Sequence, residues 1–264
     1  MKDLRAASIA ALGAAMVFAA MAQSPQSGLP ERSTQLIVVT TPDWNSVVGR
    51  LQRYERAAAS AAWKPVGDPV TVDVGRNGMA WGRGLISTEG LHEPQDPVPD
   101  PVKVEGDGRS TAGVFRLGPA FGYAARRPAD WKMPYVAITA SVECVDDSAS
   151  KYYNRVIDRN TVSPDWKSSE KMAQAGEAYR WGAVIEQNMH PAVPRGGSCV
   201  FLHVWGGQGV GTAGCTAMAR GQLEPILAWL DPKKQPVIVE MPEAEYAKAR
   251  VEWGLPEMVL HAGD

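Results

Sequence analysis

Cysteine and histidine are scarce in this sequence, at three and four of 264 residues. Three thiols exclude the disulfide-dense scaffolds of small secreted domains. No two histidines stand at ligand spacing, so a zinc hydrolase built on His203 lacks its motif. Basic excess is also missing: 27 Lys and Arg against 29 Asp and Glu leave a net charge of -2. Phosphate binding needs clustered Lys and Arg, so no nucleic-acid partner is expected. After the first 22 residues no apolar run is long enough to span a bilayer. No internal repeat is visible.

Residues 1–22 carry Lys2 and Arg5, then an Ala-rich apolar run ending in Ala20-Met21-Ala22. A basic start, a short apolar stretch and an Ala-x-Ala end predict a secretory signal peptide. Localisation is therefore expected to be periplasmic or secreted, with membrane contact only through the export signal. Residues 23–34 read as a flexible mature terminus.

Twenty prolines and 26 glycines punctuate the remainder into short strands and turns, a mainly β chain with a few helices in one domain over 35–241. Strands are expected at 35–41, 70–74, 113–117, 135–142, 180–187, 198–205 and 236–241. Thr41-Pro42 reads as a cap and first helical position. Helical spacing of Trp44, Val48, Leu51 and Tyr54 then predicts a helix over 42–62. A second helix fits 223–230, and the 242–264 tail has only weak helical signals. Residues 89–107, rich in proline and acidic side chains, read as an exposed loop.

Three thiols in an oxidising compartment permit three pairings, with one thiol left over. Cys215 has the setting of a reactive one. Ser198-Cys-Val-Phe-Leu-His203-Val-Trp is an apolar strand interrupted by a histidine. Gly206-Gly-Gln-Gly-Val-Gly-Thr-Ala-Gly214 follows, and Cys215 comes directly after. A cysteine nucleophile needs a base beside it and main-chain N–H donors at the developing oxyanion. The pattern makes Cys215 the nucleophile, His203 the base, and the backbone at Gly214 and Cys215 the oxyanion donor. A neighbouring imidazolium is expected to hold the thiol as thiolate. If Cys215 stays free, Cys144 and Cys199 form the disulfide.

His92, His190 and His261 show no comparable partner. Gly209-Val-Gly-Thr-Ala-Gly214 fits a dinucleotide fingerprint, but it lacks the tight strand-to-helix turn and the following parallel sheet. The nine tryptophans are scattered among apolar residues, which suits core packing.

At these residues the chain resembles the YkuD-like L,D-transpeptidase family, which uses a His…Gly-Cys motif. Glu105-Gly-Asp-Gly-Arg-Ser-Thr-Ala-Gly-Val-Phe115 is similar to the family's Gly-Asp…Thr-Pro-x-Gly-x-Phe segment. Cys144-Val-Asp-Asp147…Tyr153-Asn154 resembles a block of one of its branches. The likeness runs over roughly 67–241. Departures are Ala213 where a histidine is usual, Thr216 and Ala217 after the cysteine, Thr111 for proline, and a shorter His-to-Cys spacing.

The resemblance implies a β-sandwich of mixed sheets around a cysteine cleft. It also implies acyl transfer from a peptidoglycan stem tetrapeptide through a Cys215 thioester, with loss of D-alanine and no metal or cofactor. Thr212, Asp147 and Asn154 are the expected substrate-binding residues; an Asx turn at Asp146-Asp147 is the structural alternative, and Arg220 is expected at the surface. Competing functions are an L,D-carboxypeptidase or amidase on wall-linked peptides and, in a different class, a non-catalytic wall-binding module.

Overall fold

The computed structural model describes residues 28–87 and 100–258. The expected signal peptide, most of the 89–107 loop, His92 and His261 lie outside the described residues. Among the described residues, thirteen strands and two α-helices make the fold mainly β. In chain order the strands are β1 (Gln35–Thr41), β2 (Val48–Glu55), β3 (Lys64–Asp73), β4 (Met79–Trp81), β5 (Ser110–Gly122), β6 (Tyr135–Ala137) and β7 (Val142–Cys144). They continue with β8 (Val156–Asp158), β9 (Glu170–Lys171), β10 (Trp181–Ile185), β11 (Phe201–Val204), β12 (Thr216–Met218) and β13 (Val237–Pro242). The helices are α1 (Arg220–Trp229) and α2 (Glu243–Trp253).

The expected sandwich gives way to a closed barrel. The order β10-β11-β12-β3-β2-β1-β13-β5 closes through a β10–β5 pairing, with β4 and β6 attached to β5. Closure depends on β5, which is 13 residues long. Its first half pairs antiparallel with β13, from Gly113 to Arg116. Its second half pairs with β10, where a register shift lies between Ala183 and Ile185. One long strand shared by two neighbours removes the open edges. A separate three-stranded sheet, β8-β7-β9, lies outside the barrel.

The helix expected over 42–62 is instead a turn followed by β2. The Asp43 carboxylate accepts from the N–H groups of Asn45 and Ser46 at 2.7 and 2.9 Å. An Asx turn thus replaces the helix start. From Val48 the chain runs between β1 and β3, where two ladders pair its backbone while burying Leu51 and Tyr54. Tertiary pairing overrides the local helical pattern.

The strand expected over 135–142 is broken in two by a turn in which Val142 N–H donates to the Thr139 carbonyl at 3.1 Å. Residues 28–34 are not loose: Leu29 N–H donates to Trp253 O and Thr34 N–H to Lys234 O. The tail is α2, whose Tyr246, Ala249 and Trp253 join the main core. The folded unit therefore extends past residue 241.

Two cores result. The larger is built on β1, β13 and β5 and covered by both helices. The smaller holds Phe121, Val142, Cys144, Met172, Tyr179, Phe201 and Cys215, between one face of the barrel and the three-stranded sheet. Period-two alternation divides β11 between them: Leu202 and Val204 face the large core, and Phe201 faces the small one. The site lies at the second interface.

Candidate functional site

His203 is on β11, which runs parallel to β12 with Leu202 opposite Thr216 and His203 opposite Ala217. Cys215 immediately precedes β12. Alternation therefore puts Cys215, Phe201 and His203 on one face and sends Thr216 to the other. Cys215 and His203 both line one cleft of about 510 Å³. Of the expected residues, Thr212 and Gly214 line it too. So do Lys103, Glu105, Asp146, Glu170, Tyr179 and Cys199.

The glycine loop is held from three sides. The Asp73 carboxylate, at the end of β3, accepts from Gly209 N–H at 2.9 Å and Gly211 N–H at 3.0 Å. Thr212 Oγ1 donates to the Cys215 carbonyl at 2.6 Å and accepts from Gly214 N–H at 3.0 Å. Ser110 Oγ donates to the same carbonyl at 2.7 Å. Gly214 has φ +148°, and a Cβ there would meet the Arg109 carbonyl oxygen at 2.9 Å. Only glycine fits this approach without strain.

His203 Nδ1 lies 2.8 Å from the Val204 carbonyl. A carbonyl only accepts, so Nδ1 carries the proton and the neutral ring keeps its lone pair on Nε2. Tyr179 packs against the ring in a T-shaped arrangement, with centroids 5.5 Å apart. Burial lowers the His203 pKa against the hydrogen bond to Val204, which raises it. Burial therefore favours the neutral ring.

Cys215 is 7% exposed and is the free cysteine. Its Sγ accepts from Phe201 N–H at 3.3 Å, and its thiol donates to the Cys199 carbonyl at 3.5 Å. Burial pushes the thiol pKa up, as does the Glu170 carboxylate; Phe201 N–H and Lys103 oppose this with smaller effect. Burial thus weighs against the expected thiolate–imidazolium pair. Desolvation disfavours the charged form of each group, which favours thiol and neutral imidazole. In such a pair the proton leaves sulfur only as it attacks.

Cys144 and Cys199 form the disulfide, with Cα atoms 5.9 Å apart. Cys199 faces the site cleft, while Cys144 faces a second cavity of about 540 Å³. The bridge forms part of the wall between them. Glu105, Asp146 and Cys215 come from the three motif-bearing segments, and all meet at the cleft. Tyr153 strengthens this meeting by donating to the Glu105 carboxylate.

Two expected substrate residues are committed elsewhere. Asn154 Nδ2 donates to the Gln187 and Asn188 carbonyls at 2.7 and 2.8 Å, and its Oδ1 accepts from Cys199 N–H at 3.0 Å. Both Nδ2 protons and one Oδ1 lone pair are thus engaged by backbone groups, the Cys199 N–H among them. The Asp147 carboxylate accepts from Ala149 N–H at 3.0 Å and Lys167 N–H at 2.8 Å. It organises a loop, and its neighbour Asp146 faces the cleft instead, accepting from Ser168 Oγ at 2.6 Å. Arg220 pairs with Glu177 and Glu224 at the surface.

No family model, curated protein or solved structure matches this chain. Among the described residues no group of three or more His, Cys, Asp or Glu side chains is arranged to hold a metal ion, and no helix is long and apolar enough to cross a membrane.

Glu170, Tyr179, Lys103, Asp73 and Ser110 were not singled out from sequence. Glu170 and Tyr179 sit in a stretch with no motif, where a two-residue strand is followed by short 3-10 turns. Asp73 had one legible signal, a charge ending an alternating strand just before glycine-punctuated residues.

Proposed function

We propose that this chain is a cysteine-dependent L,D-transpeptidase with a YkuD-like fold, acting on peptidoglycan stem peptides outside the cytoplasm. One observation carries the reading. A free cysteine and a histidine anchored through Nδ1 stand on one face of adjoining parallel strands and open into one cleft. The other two cysteines are bridged, which suits an oxidising compartment. On this reading the small sheet laid over the barrel face corresponds to the family's packed sheets around a cysteine cleft.

In the first half-reaction Cys215 Sγ attacks the carbonyl between the L-linked diamino acid and D-alanine. His203 Nε2 takes the thiol proton and returns it to the departing D-alanine amine. Main-chain N–H at Cys215 meets the oxyanion, a donor worth on the order of 10²–10³ in rate. Gly214 N–H is engaged by Thr212, so Gly214 contributes chiefly by turning the chain. An amine from a second stem then resolves the thioester.

Intact mass after incubation with a stem tetrapeptide or a carbapenem tests this. The expected result is a covalent adduct mapped to Cys215 and lost in Cys215→Ser. With muropeptides, dimers indicate transfer and trimmed monomers indicate a carboxypeptidase. A protein that binds wall fragments equally well with and without the thiol, and forms no adduct, is a binding module and the proposal fails.

A further inference from the structure

Glu170 is the least explained charge in the cleft. It lies on β9, opposite Cys144. One of its carboxylate oxygens accepts from the Tyr179 hydroxyl. Among the described residues no group bonds the other oxygen, and the side chain lines the cleft beside Cys215 and His203. The cations near it are committed. Lys171 pairs with Glu143 at 2.6 Å, and Lys103 pairs with Asp107. A half-buried carboxylate with one neutral donor and no counter-ion among the described residues is poorly compensated. The arrangement becomes favourable when a cation enters the cleft.

The reaction proposed above brings one. Its second half needs an amine nucleophile, and near neutral pH an aliphatic amine arrives as an ammonium ion. It cannot attack until it loses a proton. We infer that Glu170, oriented by Tyr179, receives the acceptor ammonium and takes that proton, which favours transfer to an amine over hydrolysis. This rests on the transpeptidase reading and extends it to a residue for acceptor choice.

The step balances as follows. The ammonium gives one proton to the Glu170 carboxylate, and its nitrogen lone pair attacks the thioester carbonyl. The C–N bond forms, and the tetrahedral intermediate expels Cys215 sulfur as the C–S bond breaks. The second nitrogen proton passes through His203 Nε2 to Cys215, and Glu170 later yields its proton to solvent. Burial raises the Glu170 pKa, against the Tyr179 hydrogen bond, which lowers it; a carboxylate so raised is a stronger base. Tyr179 is a positioning residue. Its hydroxyl fixes Glu170 and its ring packs against His203, so base and acceptor site share one support.

The test partitions a common thioester. The enzyme is acylated with a synthetic stem tetrapeptide near neutral pH and offered either a cationic diamine or hydroxylamine, which is uncharged there. The ratio of aminolysis to hydrolysis is read by mass spectrometry. Glu170→Gln is expected to lower the ratio for the diamine about tenfold, the scale of one hydrogen bond to a charged group. Its ratio for hydroxylamine is expected to stay unchanged. Tyr179→Phe keeps the ring against His203 and removes only the donor, so it gives the same selective fall and carries the test should Glu170→Gln not fold. Ratios that fall together for both nucleophiles, or that do not move, overturn the inference alone. A parent protein that never forms a Cys215 thioester overturns the transpeptidase reading along with it.

Discussion

Ser110 Oγ donates to the carbonyl oxygen of Cys215 at 2.7 Å, joining the start of β5 to the candidate nucleophile across 105 residues of chain. Thr212 donates to the same oxygen. The backbone beside the thiol is thus fixed by two hydroxyls from different segments. Ser110 also accepts from Gly75 N–H at 2.9 Å. Ser110→Ala therefore strands a buried donor, and denaturant unfolding is expected to show a loss of about 1–3 kcal/mol. Adding Thr212→Ala leaves the Cys215 carbonyl with neither hydroxyl, so the double variant should lose more than the two single losses combined.

Thiol reactivity should follow the buried, neutral state of Cys215. Its pKa is raised by burial and by Glu170, so thiolate appears only on the alkaline side of the ordinary cysteine value. Alkylation by iodoacetamide should be slow near neutrality and climb without a plateau up to about pH 8.5, the value of a free thiol. Glu170→Gln removes the adjacent negative charge and should speed alkylation at neutral pH. A fast plateau near pH 6 would show a resting thiolate and contradict the neutral pair.

Glu240 predicts a falling stability–pH curve. Thr216, next to Cys215, points into the barrel and donates to Glu240 Oε1 at 2.5 Å, while the buried Oε2 has no hydrogen-bond partner among the described residues. Burial raises the Glu240 pKa to about 8, against the Thr216 hydrogen bond, which lowers it. The folded state therefore holds a proton that the unfolded chain has released above its ordinary carboxylate value. Stability from this group is full below about pH 4.5 and declines as pH rises towards 8. Glu240→Gln keeps the shape and the acceptor, and it should flatten that part of the unfolding curve. An equally steep curve in the variant would assign the pH dependence elsewhere.

The disulfide makes a counting prediction and an energetic one. Denatured, unreduced protein should show one free thiol, and reduced protein three. Cys144 and Cys199 are 55 residues apart, and closing a loop of that size is worth about 4 kcal/mol in the chain-entropy model. Reduction should lower the unfolding midpoint accordingly. It should also raise cleft mobility, since Cys199 supplies the carbonyl that takes the Cys215 thiol.

Much of the site was legible because its signals are local. A histidine interrupting an apolar strand and a cysteine after a glycine-rich turn mark themselves in one stretch of chain, and leaving Cys215 free implied the Cys144–Cys199 bridge. Other site residues carried no such mark. Asp147 and Asn154 have the right chemistry, yet their atoms are engaged by Lys167, Ala149, Gln187, Asn188 and Cys199. Hydrogen-bond commitment is a property of three-dimensional neighbours, so Asp146 could not be preferred to Asp147 beforehand.

Sequence by itself determined the mainly β class, the strands β1, β3, β5, β10, β11 and β13, the helix α1, and the choice of Cys215 and His203 as candidates, which the structure brings to one cleft. Those features depend on alternation, on glycine and proline, and on side-chain chemistry, all of which act over a few residues. Tertiary structure alone decided that residues 48–55 are a strand, that β5 closes a barrel, and that Tyr179 and Glu170 stand beside Cys215. Each of these depends on which backbone lies alongside another, and that is settled by pairing and burial across the whole chain.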